Sequence, residues 1–510
     1  MSNVINPLVS QLFLDNHVIE ETSRVKKIIH SPHKYYNNPL YKAGASWEGT
    51  SIHYLGGVHF DKKEGILKAW YAVLSPSKHP EIKHAVCMIT STDGIHWERP
   101  ELDVYKTSDG QWTNIVLLIT HGGGTGAPTI IYEPENTEEP WTMVLSTTDG
   151  EGNWDYKGYI LRSPDGIHWR WTVSHPNGIN HKMHDRSAAV KSDNKQFPYT
   201  IISRGSEDLR KWKFVRSAHR VGINENEKDG DPTRVVIPDF LDNPEAQVYH
   251  CSAFKYNDLY IGTIYWFWEF DNPIGNMELI TSRDTIHWER VEPRTIFLDH
   301  TPEGARVGAF DSYRVELSLS APLGYREGTF MNLNESSLDS SQFSDASPKQ
   351  DSLWFYYLGG PICHPGPDTT GHVTSMLQLG LAELRVDGFC GLRATKFPGY
   401  IFTKPMIWPG GELELNVSDL GGGGNGNIKT EVLTDTMKVI DGFTAENSNN
   451  LSRSGIQTWN GKSLNELRGK NIRFKFCLSN AELFSFKSHG GKPLIEEKPN
   501  PKIEHMQLFN

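Results

Sequence analysis

Long apolar runs are missing from this 510-residue chain: no segment approaches the roughly 18 apolar residues that a membrane-spanning helix requires. The opening stretch, MSNVINPLVSQLFLDN, has neither a basic start nor an extended apolar core, so no secretory signal is expected. Cysteine is scarce. The five present (Cys87, Cys251, Cys363, Cys390 and Cys477) are odd in number and dispersed, with no CxxC pair. That pattern suits free thiols in a reducing compartment, and a cytoplasmic location is the expectation. Positive charge is in deficit, 51 Lys and Arg against 62 Asp and Glu, for a formal net charge of −11. No basic stretch is long enough to track phosphates, so neither nucleic acid nor membrane is an expected partner.

What the chain does have is aromatic rings and turns. The 15 Trp, 19 Tyr and 22 Phe, in a chain with 46 Gly, favour all-β structure and a cleft in which rings stack on sugars. One short stretch is written three times: STDGIHW at 91–97, SPDGIHW at 163–169 and SRDTIHW at 282–288. Asp-Gly between strand-like runs is a strong hairpin signal, and an apolar run precedes each copy. The unit reads strand, turn, strand. Its recurrence at irregular intervals points to a β-propeller with insertions between blades. The Asp and His of each copy (Asp93, His96; Asp165, His168; Asp284, His287) are expected to be structural.

Counting innermost strands gives five blades, starting near Thr50, Gly126, Asp185, Glu245 and Asp311. A Ser/Asp-rich insertion, 332–351, interrupts the fifth. Alternating segments such as ELELNV, IKTEVL and IRFKFCL then read as an antiparallel β-sandwich. The expected organisation is a five-bladed propeller over residues 1–402, a β-sandwich over 403–486 and a tail over 487–510. The run 11–19 is a candidate for closing the propeller ring.

A five-bladed propeller brings the entries of its inner strands together around one axis. The acids near those entries are Glu48, Asp185, Glu245 and Asp311, while Gly126-Ala127-Pro128 offers a neutral backbone wall. Asp185 is the strongest candidate, because the adjacent Arg186 holds a carboxylate ionised and can bind hydroxyls. Glu48 follows Trp47, a candidate stacking platform. Glu245 follows Asn243-Pro244, a setting that also suits a strand start. Asp311, three residues before Arg314, fits ligand binding better than chemistry. His53, His184 and His250 fall near entries, but their spacing matches no zinc motif, so they read as polar lining. No metal site and no cofactor are expected.

The blade count, the repeated turns and the trailing sandwich resemble the glycoside hydrolase clan of invertases, levanases and arabinanases (families 32, 43 and 68). The segments LFLDNHVIE, WEG, HDRSAA, FDSYRVELS, LWFYYLGG, LRVDGF and ELFSF are similar to those of family-32-like bacterial members. The resemblance implies an exo-acting glycosidase with an axial pocket, often for furanosides. It makes Glu48, Asp185 and Glu245 the catalytic candidates. Trp47, His53, Arg186, His250, Asp311 and Arg314 become the candidates for binding a carbohydrate substrate. The clan's W-x-N-D-P-N-G, Arg-Asp-Pro and Glu-Cys motifs are absent, and His184-Asp185-Arg186 carries its Asp and Arg in reversed order. Two other readings stay open: a glycoside phosphorylase using Arg186, Arg204 and Arg314 for phosphate, and a non-catalytic sugar-binding propeller. The sandwich is a candidate surface for a homo-oligomer.

Overall fold

The computed structural model describes residues 5–49, 51–74, 79, 81–119, 126–148, 156–172, 179–205, 217–224, 230, 232–268, 276–301, 309–326, 328–333, 351–361, 376–421 and 424–494. Thr50, Cys363, nearly all of the 332–351 insertion and residues 495–510 lie outside them. Among the described residues the protein is all-β, with one 3-10 turn at Leu464–Leu467. No described helix is long and apolar enough to cross a membrane. The chain forms two compact units, one of Lys27–Gly391 and one of Met1–Lys26 with Leu392–Asn510. The division expected at residue 402 is thereby corrected: the chain start belongs with the C-terminal segment.

Among the described residues, Lys27–Gly391 holds five sheets of four or more strands in chain order, all antiparallel, besides a two-stranded pair of Leu102–Lys106 with Trp112–Thr113. The first is Tyr54–Asp61, Ile66–Leu74, His84–Ser91 and Ile115–Leu118. The second begins at Thr129–Tyr132, the third at Ser187–Lys191 and the fourth at Ala246–Tyr256, each continuing as a meander. In the fifth, Arg314–Leu317 and Leu323–Arg326 share one long partner, Asp351–Gly360, which pairs onward to Gln378–Arg385. The outer strand there is His33–Lys34, opposite Ala382 and Glu383. The run 11–19, expected in this role, is therefore replaced by a segment further along the chain.

The leading strands of these sheets neighbour one another. Leu319 N donates to Leu55 O (3.1 Å), His59 Nε2 meets Ile130 O (2.9 Å) and Ala127 N donates to Asp185 O (2.8 Å). Val190 and Ile202 of the third sheet pack with Val248 and Ala253 of the fourth, and Phe254 of the fourth lies against Phe355 of the fifth.

The repeated heptapeptide builds one geometry three times. Asp93 Oδ1 accepts from the N–H groups of Ile95 and His96, both at 2.8 Å, and Trp97 Nε1 donates back to Gly94 O at 3.2 Å. Asp165 and Asp284 repeat the pattern. Each turn docks on the sheet before its own. Trp70 of the first sheet donates to Gly166 O (2.8 Å), and Thr200 of the third bonds Thr285 of the fourth (3.0 Å). The turn of the first sheet docks on the fifth, where Tyr356 donates to Gly94 O (2.9 Å). The pattern is cyclic, and the His rings stand outward in solvent.

Among the described residues the second unit has two antiparallel sheets, and strands such as Glu412–Asp419 and Asn471–Ser479 alternate buried and half-buried residues. One orders Ile19–Ser23, Gly399–Thr403, Asn471–Ser479 and Met406–Ile407, with Asn427–Thr434 also on Asn471–Ser479. The other sets Gln11–Leu12 and Glu412–Asp419 on Ala481–His489, with Gly455–Gln457 beyond. Rings from both sheets meet: Phe474 and Phe476 lie 5.9 and 5.6 Å from Phe486, which also touches Phe13. The tail expected from residue 487 begins later, because Ala481–His489 runs through that point as a buried strand.

Candidate functional site

Where the leading strands come together, the chain gathers an unusual density of charge. Arg314 and Glu316 lie two residues apart on one strand and so share a face. Arg314 Nε donates to Glu316 Oε1 and Arg186 Nη1 to Oε2, both at 2.6 Å. Asp185 precedes the third sheet's first strand. Its Oδ1 accepts from Arg204 Nη2 at 2.6 Å, and its Oδ2 accepts from the Tyr54 hydroxyl at 3.3 Å. Arg186 Nε stands 4.0 Å from Asp185 Oδ2, so one guanidinium spans the two carboxylates. Its carbon sits over the rings of Tyr54 (4.6 Å) and Tyr249 (4.9 Å). Four of the five sheets thus contribute side chains. The second contributes backbone, at the Ala127 to Asp185 hydrogen bond.

The electrostatics separate the two carboxylates. Burial pushes Asp185 up, but the guanidinium groups of Arg204 and Arg186 outweigh it and hold the carboxyl below its ordinary value. The same contest at Glu316, against Arg186 and Arg314, holds it well below the carboxylate range. Both are ionised at neutral pH. Only Asp185 reaches outward, with 20% of its side chain exposed against 4% for Glu316. Burial, reinforced by Arg186 and Arg314, pushes His53 well below its usual value. Burial likewise carries His250 down to about 4, although Glu316 opposes the shift. Both imidazoles are neutral at pH 7. Burial also raises Tyr265, which keeps its phenol protonated.

Of the residues singled out in the sequence, the structure brings His53, Asp185, Arg186, His250 and Arg314 into this cluster. Four others are placed elsewhere. Glu48 sits in a closed cage: its carboxylate accepts from the hydroxyls of Tyr41 (2.9 Å) and Tyr71 (2.5 Å) and from the N–H groups of Gly44 and Ala45. Arg99 completes the cage through Nε (3.0 Å) and Nη2 (2.9 Å), leaving the Glu48 side chain with no exposure. Trp47 is buried beside it and donates to Asn114 Oδ1 at 2.8 Å, so it is a core residue rather than a stacking platform. Glu245 is exposed in an Asx turn, where its N–H donates to Asn243 Oδ1. Asp311 is buried between Lys34 Nζ (2.7 Å) and the Tyr357 hydroxyl (2.9 Å), fastening the outer strand of the fifth sheet.

Sequence reasoning missed Glu316, Tyr54 and Tyr249. The signal for Glu316 was its i, i+2 spacing from Arg314 within a strand. No group of three or more His, Cys, Asp and Glu side chains is arranged to hold a metal ion among the described residues.

No protein-family model matches the chain, and no curated protein matches it. Solved structures with similar coordinates include a thermostable family-43 glycoside hydrolase, 12% identical, covering 67% of this chain and 93% of that one at a TM-score of 0.40. An N-acetylgalactosamine deacetylase from F. plautii, in complex with blood group B trisaccharide, is 13% identical over 72% of this chain and 97% of that one, at 0.41. The catalytic domain of the GH62 α-L-arabinofuranosidase of Coprinopsis cinerea is 14% identical over 70% and 98%, at 0.38.

Proposed function

We propose that the protein is a glycosidase acting on small oligosaccharides or glycosides, with Asp185 as the working carboxylate. In this reading the five sheets of Lys27–Gly391 are the blades of a five-bladed propeller. The two sheets carrying the C-terminal segment form a β-sandwich. The cyclic docking of the repeated turns supports the first assignment, and the rings shared between the two sheets support the second.

The observation that carries the functional reading is Asp185 itself. It is an ionised, partly exposed carboxylate at the convergence of the leading strands, oriented by Arg204 and Tyr54. Such a group can act as base or nucleophile, or stabilise the positive charge that develops on the sugar as the glycosidic bond breaks. Glu316 is fixed by two arginines and serves to hold Arg186 and Arg314 in place. The phenol ring of Tyr54 walls the site. The exo action and furanoside preference expected from the sequence stay part of this proposal.

The test is release of nitrophenol from a panel of nitrophenyl furanosides and pyranosides. The nitrophenolate departs without needing a proton, so the assay interrogates Asp185 without requiring a general acid. Asp185→Asn is expected to lower kcat/KM by about a thousandfold or more while the protein keeps its melting temperature within a few degrees. The depressed pKa of Asp185 further places the acid limb of the pH profile below its ordinary value of 3.8. No turnover on any member of the panel, or full turnover by Asp185→Asn, sinks the assignment.

A further inference from the structure

Three guanidinium groups stand around one ring. The carbons of Arg186, Arg204 and Arg314 lie 4.9, 5.0 and 5.8 Å from the centroid of Tyr249. Like charges gathered this closely repel unless anions lie between them. Among the described residues the cluster supplies two, Asp185 and Glu316, against three cations, and its imidazoles His53 and His250 contribute no positive charge at neutral pH.

Hydrogen bonding shows a matching shortfall. Among the described residues, Arg186 Nε and His250 Nδ1 have no hydrogen-bond partner, although Arg186 is 2% exposed and His250 4%. Buried polar nitrogens of this kind are almost always satisfied in a working protein, by other protein groups, solvent or a ligand. Arg204 is the arm that reaches outward. Its side chain is 17% exposed, and it spends Nη2 on Asp185 out of the five N–H donors a guanidinium carries.

We propose that this cluster is an oxyanion subsite, built to take either the carboxylate of an acidic sugar or a free phosphate, with Arg204 as its solvent-facing donor. The inference rests on the reading of the cluster as a carbohydrate site and specifies what that site selects. A guanidinium fork matches both oxyanions in geometry, because each presents paired oxygen acceptors. The two sources have different consequences. A carboxylate on the sugar makes the subsite a specificity determinant. A bound phosphate places a second reactant beside the sugar, as phosphorolysis requires.

Titration calorimetry on the intact protein separates them, using inorganic phosphate, methyl glucuronoside and the neutral methyl glucoside. Saturable binding of one of the anions, in preference to the neutral glycoside, is expected and identifies the source. Arg204→Met is expected to weaken that binding by about tenfold or more, the scale of one charged hydrogen bond. Asp185→Asn is expected to strengthen it, because the change removes a competing negative charge and frees Arg204. The opposite signs guard against a variant that merely unfolds. Equal affinity for anion and neutral glycoside, or anion binding that both variants leave unchanged, overturns the proposal. Because the readout is binding, anion selectivity without nitrophenyl turnover would remove the glycosidase reading and keep this one. Turnover without anion selectivity would do the reverse.

Discussion

Glu48 and Asp185 are both carboxylates held ionised by arginine, and what divides them is how their oxygens are occupied. Every direction around Glu48 is filled by phenols, backbone N–H groups and Arg99, whereas Asp185 keeps one side toward solvent. The cage therefore makes Glu48 a stability residue. Burial raises its pKa, but Arg99, the Gly44 N–H and the Tyr71 hydroxyl bring it below the ordinary value of 4.5. A carboxyl lowered in the folded state adds stability that is fully present above its unfolded pKa and is lost as pH falls through the folded one. Glu48→Gln is accordingly expected to cost about 3 kcal/mol at pH 7, the lower end for breaking a buried pair, since Arg99 keeps partial access to water. The gap between variant and wild type in urea unfolding should narrow below pH 4.5. A gap that stays constant down to pH 3 would contradict this account. In the sequence both acids were catalytic candidates. The pairing of Asp185 with Arg186 was legible because the two are adjacent, while the cage of Glu48 comes from Tyr41, Tyr71 and Arg99, which no local pattern ties to it. Glu316 carried a local signal in its i, i+2 spacing from Arg314, but its second partner, Arg186, lies 130 residues away.

The repeated turn shows how much one element can reveal. Asp-Gly and a preceding apolar run were enough to place the hairpins, because the turn is built from its own seven residues. The docking partners, Trp70, Thr200 and Tyr356, were not legible, since they come from other sheets. The third copy is the informative one, with Thr285 in place of glycine. Gly94 and Gly166 have φ of +74° and +76°, and Thr285 holds the same left-handed region at +63°. A β-branched residue there is strained, yet the Thr285 hydroxyl bonds Thr200 at 3.0 Å and Ser192 at 3.2 Å. At Gly166 no such exchange exists, because an added Cβ would stand 2.6 Å from the Trp70 ring. Gly166→Ala is expected to destabilise by about 2 kcal/mol or more, combining positive φ with the collision. Thr285→Gly should change stability by less than about 1 kcal/mol, as strain relief and lost hydrogen bonding oppose each other. Thermal unfolding of both variants decides the matter. A harmless Gly166→Ala would mean that the turn does not dock on Trp70 as described.

At the scale of the whole molecule, the chain leaves its C-terminal unit unfinished until its first residues are supplied. Alternation in ELELNV and IRFKFCL made that unit's later strands readable. The run 11–19 looked equally strand-like, but strandness does not name a partner, and pairing is a tertiary choice. Gln11–Leu12 pairs with Ala481–His489, and Ile19–Ser23 pairs with Gly399–Thr403. Between them Leu12, Phe13, Leu14 and Val18 are at most 3% exposed. Burying four such side chains contributes about 6–12 kcal/mol at 1.5–3 kcal/mol each, comparable to the net stability of an entire domain. Deleting residues 1–23 should therefore unfold the unit to which they belong. In hydrogen exchange, the amides of Asn471–Ser479 and Ala481–His489 are expected to lose protection, while those of Ile66–Leu74 and His84–Ser91 keep theirs. The second half of that expectation follows from the pairing of His33–Lys34, which the deletion spares and which supplies the outer strand of the fifth sheet. If the strands of 471–489 stayed protected in the truncated protein, the buried run at 12–18 would be a covering rather than a part of the core. If protection vanished everywhere, the two units would be unfolding as one.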